Sequence, residues 1–101
     1  MGMTVAEKVL ARKADLDKVV PGQILTVRPD VLLTHDNTAA IASQFRKIGV
    51  EKMVDPRMSV IVLDHVVPAA SEAHANNHKL TREFVREQGI AHFYDVGEGI
   101  C

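Results

Sequence analysis

Apolar and polar positions along this chain switch between a helical and an extended period, and the switches mark its elements. From Thr4 onward Val5, Val9 and Leu10 recur at helical spacing, and Thr4 with Glu7 has the form of a capping box, so a first helix is expected over about residues 4 to 13. A turn at Pro21-Gly22 follows. Two short β-type runs come next, QILTV (23 to 27) and VLLTH (31 to 35), separated by the break Arg28-Pro29-Asp30. Past Asp36 and Asn37 the helical period returns: Ala40, Ile41, Phe45 and Ile48 form the stripe of a second helix, which Gly49 is placed to stop. A loop through Asp55 and Pro56 leads to Val60, Ile61, Val62 and Leu63, four apolar β-formers that read as a strand over 60 to 63 buried on both faces. A third helix is expected from about residue 74 to 88, with Phe84 and Val85 inward and Gly89 at its end. The last strand runs from His92 to Val96, ahead of Gly97 and Gly99.

Alternation of strand and helix packs as a parallel or mixed sheet with flanking helices, an α/β fold. At 101 residues the chain is one domain at most, and such a domain buries on the order of 60–65% of its unfolded surface. With 47% hydrophobic and 25% charged residues and a net charge of -1, it has the balance of a cytoplasmic soluble domain and no basic field for nucleic acid. No apolar run approaches the roughly 20 residues that span a bilayer, and MGMTVAEKVLARK is charged and amphipathic rather than a signal peptide. Neither a membrane nor export is expected. A myristoylation signal would place Ser or Thr four residues after Gly2, where Ala6 stands. Cys101 is the only cysteine, which excludes an internal disulfide and a multi-cysteine metal site. The ending DVGEGIC, with no helix or polar tail after the strand-like HFYDV, is what a fragment would show.

Candidate chemistry collects where the strands end. VIVLDHVVPA (60 to 69) sets Asp64 and His65 at the close of an apolar run, where a polar dyad is costly unless something uses it. In open α/β sheets ligands gather beyond the carboxyl ends of the strands. A carboxylate beside an imidazole fixes the ring and favours the imidazolium, which would make His65 a general acid. Neighbours on an extended strand point to opposite faces, so Asp64 pairs with His65 only if the strand has ended. Otherwise Asp64 bonds the backbone and His65 stands half exposed. His35-Asp36-Asn37-Thr38 leaves VLLTH in the same way and opens a helix, so parallel strands would bring both clusters to one crevice. Asp36 or Asn37 either caps that helix, the commoner role of such residues, or the Asn37-Thr38 step offers helix N–H groups to an anion.

His74 and His78 stand four apart on a helix and could share a metal. No glutamate completes a zincin pattern, however, and Asn76, Asn77 and Lys79 point to a solvated face. His-Asp pairs also occur in the HD-class phosphohydrolases, which are all-helical, whereas both pairs here follow strands. Gly97-Glu98-Gly99 is too short for a dinucleotide fingerprint and reads as a loop.

Taken in order, MGMTVAEKVLARK, PGQI, RPDVLLTHDNTAA, VIVLDHVVPA, NNHKLTREFVREQGI and HFYDVGEGIC resemble the N-terminal part of the large subunit of 3-isopropylmalate dehydratase (isopropylmalate isomerase) and of its relative homoaconitase, in the aconitase superfamily. The resemblance covers essentially the whole chain, and LTHDNTAA and LDHVVPA are its most specific parts. It implies the N-terminal piece of an aconitase-type α/β/α domain, and an iron–sulfur hydro-lyase that moves a hydroxyl between adjacent carbons of a hydroxy-dicarboxylic or tricarboxylic acid through an alkene, in leucine or related biosynthesis. The implied cofactor is a [4Fe–4S] cluster held by three cysteines, none of them in this chain, with an open iron that binds the leaving hydroxyl.

By the same resemblance Asp64 and His65 match the family's Asp-His pair, the histidine protonating the departing hydroxyl and the aspartate supporting it. His35 matches a substrate-contacting position, with Asn37 and Thr38 beside it as further substrate-binding candidates. The implied partners are the rest of the large subunit and a small subunit. The chain departs from the family in extent: members are several times longer, and GEGIC is normally followed by another active-site histidine. Alone, the chain is expected to be inactive and Cys101 to have no cluster role. Two other readings of the residues compete: a standalone, non-catalytic α/β module that binds a carboxylate or assists assembly, and a small metal-dependent hydrolase using His35, Asp36, Asp64 and His65, which would carry stoichiometric zinc or manganese.

Overall fold

The structure is a computed structural model and describes residues 2–100. Met1 and Cys101, the latter expected to have no cluster role, lie outside the described residues. Residues up to Asp30 form one compact unit and those from Val31 a second.

The first unit holds helix α1 (Val5–Lys13), whose start follows from two reciprocal bonds. The Glu7 N–H donates to Thr4 Oγ at 3.2 Å and the Thr4 N–H donates to the Glu7 carboxylate at 3.3 Å, satisfying two of the helix's otherwise orphaned donors. Ala11 and Val19 are buried, whereas the expected stripe residues Val5 and Val9 are exposed. QILTV is not a strand. β-formers become a strand only when a neighbour takes their N–H and C=O groups, and no ladder reaches 23–27 among the described residues; Ile24 is 98% exposed.

The second unit runs β1 (Leu32–Thr34), α2 (Thr38–Lys47), a 3₁₀ turn (Pro56–Met58), β2 (Ser59–Val62), α3 (Glu72–Gln88) and β3 (His92–Tyr94). The strands form a parallel sheet in the order β1-β2-β3, with Thr34 opposite Ile61 and Ile61 opposite Phe93. Two successive crossovers that advance in the same direction put both helices on one face of the sheet. Ile61 on that face packs with Ala42 of α2, Phe84 and Val85 of α3, and Ile90; Phe45 and Phe93 close the cluster. Phe45 and Phe84 meet edge to face, 5.8 Å between centroids.

This one-sided cover corrects two expectations. On the face away from the helices, Val60 is only half buried and Leu33 of β1 is exposed, so the expected run 60–63 is fully enclosed only from Ile61 to Leu63. In α2 the inward stripe is Thr38, Ala42 and Phe45, while Ile41 and Ile48 face out. The small Ala42 lets the helix axis approach Ile61, which a larger side chain there would prevent.

Helix α3 begins at Ser71, whose Oγ accepts the His74 N–H at 3.3 Å, and ends at Gly89 with φ 69°. Between these caps His78, Thr81, Phe84, Val85 and Gln88 form one buried stripe. Gln88 bonds the loop before the 3₁₀ turn at both ends of its amide, to the Glu51 carbonyl and the Met53 N–H, each at 2.8 Å. Arg82 makes a two-pronged ion pair with Asp95 after β3, at 2.7 and 2.8 Å, and this guanidinium holds the Asp95 carboxyl below the usual carboxylate range despite its partial burial. Gly97-Glu98-Gly99 is a turn, as expected.

A Cβ at Gly89 would meet nothing within 4 Å, so the only penalty of Gly89→Ala is the left-handed backbone. The expected loss is about 1–2 kcal/mol, read as a lower denaturant midpoint at unchanged slope. No helix among the described residues is long and apolar enough to cross a membrane.

Candidate functional site

Three elements of the second unit converge at the carboxyl ends of the strands. The β1–α2 corner supplies His35, Asp36 and Asn37, the segment after β2 supplies His65 and Val66, and the first turns of α3 supply His74, Asn77 and His78; together they line a cavity of about 250 Å³. That is under the roughly 300–1,000 Å³ of a complete small-ligand site, the size of one wall rather than a closed pocket.

β2 ends at Val62, which frees the backbone to turn. Asp64 and His65 then point to the same side, and His65 Nδ1 lies 2.6 Å from Asp64 Oδ1. An ionised carboxylate only accepts, so the ring carries its hydrogen on Nδ1 and leaves Nε2 as its open nitrogen. Nε2 has no hydrogen-bond partner among the described residues, and the side chain is 49% exposed. The His35 ring stacks on His65 with centroids 3.9 Å apart and planes inclined by 12°, and its own Nδ1 is buried without a partner.

Asp36 is the hub of the site. One carboxylate oxygen accepts the main-chain N–H of Asp64 at 3.2 Å and of His65 at 2.6 Å. The other accepts from His78 Nε2 at 2.7 Å. Both side chains are nearly inaccessible, 7% for Asp36 and 5% for His78. Burial pushes the Asp36 carboxyl up, but the N–H of His65, the His78 ring and the N–H groups of Val66 and Asp64 together hold it below the usual carboxylate range.

A carboxyl depressed in the folded state adds stability that is present above the unfolded value, near 3.9, and is lost as pH falls through the folded one. Asp36→Asn removes this titration. The variant is therefore expected to lose less stability than the parent between about pH 5 and pH 2, measured as denaturant midpoints across that range.

These contacts correct the cap expectation: neither Asp36 nor Asn37 caps α2 with its side chain. Asp36 reaches across to the segment after β2, and Asn37 Oδ1 accepts the His35 N–H at 3.2 Å. Thr38, expected to touch a ligand, is turned inward and 1% exposed. Its hydroxyl donates to the His35 carbonyl at 2.5 Å and accepts from Thr34 at 2.8 Å, and its N–H donates to the same carbonyl at 2.9 Å. Thr38 thus anchors His35 from behind. The solvated face expected for His74 and His78 is also wrong, because His78 is buried on Asp36 and His74 lines the cavity half buried. The signal was present: stepping back from Val85 by three and four residues along the inward stripe gives Thr81 and His78.

Ligand atoms of His35, Asp36 and His65 lie within 4.8 Å of one another, the spacing of a metal group. The two rings are stacked, however, so their in-plane lone pairs run side by side instead of converging on one ion. The described residues include no cysteine, so they offer no thiolate to an iron–sulfur cluster.

Parallel β/α units with a carboxylate–imidazole pair at the strand ends define an open-sheet α/β protein. No family model matches the chain. Among curated proteins, it is 48% identical to the probable 3-isopropylmalate dehydratase large subunit of Methanothermobacter thermautotrophicus and 49% identical to 3-isopropylmalate dehydratase large subunit 1 of Methanopyrus kandleri. Each match covers 100% of this chain and 24% of the relative. The large subunit from Aquifex aeolicus is 42% identical over 99% of this chain and 23% of its own length. The chain is thus similar to the N-terminal part of 3-isopropylmalate dehydratase large subunits and spans about a quarter of their length.

Proposed function

We propose that this chain forms the proton-donating wall of a hydro-lyase site, within a 3-isopropylmalate dehydratase-type large subunit that works with a small subunit in leucine biosynthesis. The observation that carries the reading is the 2.6 Å bond from His65 Nδ1 to Asp64, which leaves Nε2 as the open nitrogen of a ring that lines the cavity. In its charged form His65 passes the Nε2 proton to the hydroxyl of a hydroxy-dicarboxylate such as 3-isopropylmalate, which leaves as water while a base outside the described residues takes the proton from the adjacent carbon and the C–H electron pair becomes the alkene; when water adds back, Nε2 takes its proton up again and the base returns the other to carbon. Asp64 fixes the orientation of the ring.

His35 and Asn37 are the substrate-binding groups. Stacking holds His35 flat against His65, and the Asn37 amide keeps its NH₂ free to donate while its oxygen holds the His35 N–H. Thr38 serves this pair through the His35 carbonyl without touching the ligand. A [4Fe–4S] cluster, implied by the resemblance to the aconitase superfamily, supplies a Lewis acid for the same hydroxyl, and its thiolate ligands would lie outside the described residues.

Turnover of 3-isopropylmalate by the complete large subunit paired with its small subunit tests this reading. Consumption that depends on His65 supports it. Binding of the hydroxy-acid with no turnover at any subunit ratio points instead to a carboxylate-binding module.

A further inference from the structure

The Asp64–His65 dyad does not hold itself in place. It sits on a segment that has left the sheet at Val62, and a free loop would let the imidazole wander. Three independent contacts converge on Asp36 to prevent this. Its Oδ2 accepts both main-chain N–H groups of the dyad, which fixes the backbone of residues 64 and 65 to the corner after β1. Its Oδ1 is tied to His78, and the carboxylate and imidazole are both at least nine-tenths buried, so the anchor is rigid. His78 is itself fixed by the inward stripe of α3, which continues through Thr81 to Phe84 and Val85 in the core.

We infer that Asp36, backed by His78, is a positioning residue for proton transfer, setting where His65 Nε2 stands by clamping the main chain beneath it. This inference rests on the reading of His65 as the proton donor. The chemical need for such a device is general: displacing a reacting group by about 1 Å can lower turnover by about 10²-fold without weakening binding. Asparagine at position 36 retains an oxygen for the two N–H groups and can face its NH₂ toward His78, whereas alanine keeps neither contact.

A double-mutant cycle in the complete enzyme with its small subunit tests the inference. Asp36→Ala is expected to lower kcat by about 10- to 100-fold with KM changed by no more than about threefold, and Asp36→Asn to recover most of that loss. In a His65→Ala background Asp36→Ala should produce no further loss of kcat, because the group it aims is gone. Unchanged kcat in Asp36→Ala, or an equal loss in both backgrounds, overturns the positioning role; the second pattern is that of a residue needed only for folding. Should Asp36→Ala not melt cooperatively, His78→Ala enters the same cycle with an expected loss of about 3- to 10-fold, judged by the same two patterns. If His65→Ala alone retains normal turnover, the proton-donor reading fails; if it is impaired while Asp36→Ala is not, only the positioning role fails.

Discussion

His65→Ala in the complete enzyme is expected to lower kcat by about 10²–10⁴, the usual worth of a lost general acid, while KM changes little. Alanine removes a cavity-lining ring together with its open Nε2 and leaves the groups assigned to substrate binding, His35 and Asn37, in place. The fold should not suffer: the His65 side chain is half exposed, and the bond that secures this position to Asp36 comes from the main-chain N–H, which alanine retains. Steady-state kinetics alongside a melting curve separate the two effects. Turnover within about threefold of the parent, or a loss of activity that merely tracks a collapse in melting temperature, would remove His65 from the chemistry.

Phe84→Ala is expected to cost about 3–5 kcal/mol, the largest stability change of any single substitution considered. Phe84 is 5% exposed, packs with Ala42, Ile61, Val85 and Ile90, and contributes one half of the edge-to-face pair with Phe45. Truncation therefore removes a ring's worth of buried apolar surface and leaves a void between both helices and the sheet that the short strands cannot collapse to fill. Domains hold only about 5–15 kcal/mol of net stability, so the variant should show a much lower denaturant midpoint with little change in slope. A loss under about 1 kcal/mol would mean that Phe84 is not the keystone of this core.

What was legible in the sequence was local. The Thr4–Glu7 box started α1, Gly89 stopped α3, and four β-formers before Asp64 placed the central strand to within one residue. The dyad itself could be read because both partners are chain neighbours and the one question, whether the strand had ended, had a geometric answer. The hub was not legible. Asp36 meets main-chain N–H groups 28 and 29 positions away, and a backbone donor leaves no mark on residue identity. The burial of His78 follows the inward stripe it shares with Thr81 and Val85, against the polar character of its neighbours Asn76, Asn77 and Lys79. QILTV failed as a strand for a related reason: propensity describes a segment, while pairing requires a second one.

Because Asp36 grips peptide nitrogens rather than the functional groups of residues 64 and 65, the scaffold and the chemistry at this corner are separable. The two side chains can be recoded, singly or together, while the main-chain frame persists. A designer could install a different acid–base couple there, and natural variation could do the same, without first inventing a new way to shape the turn.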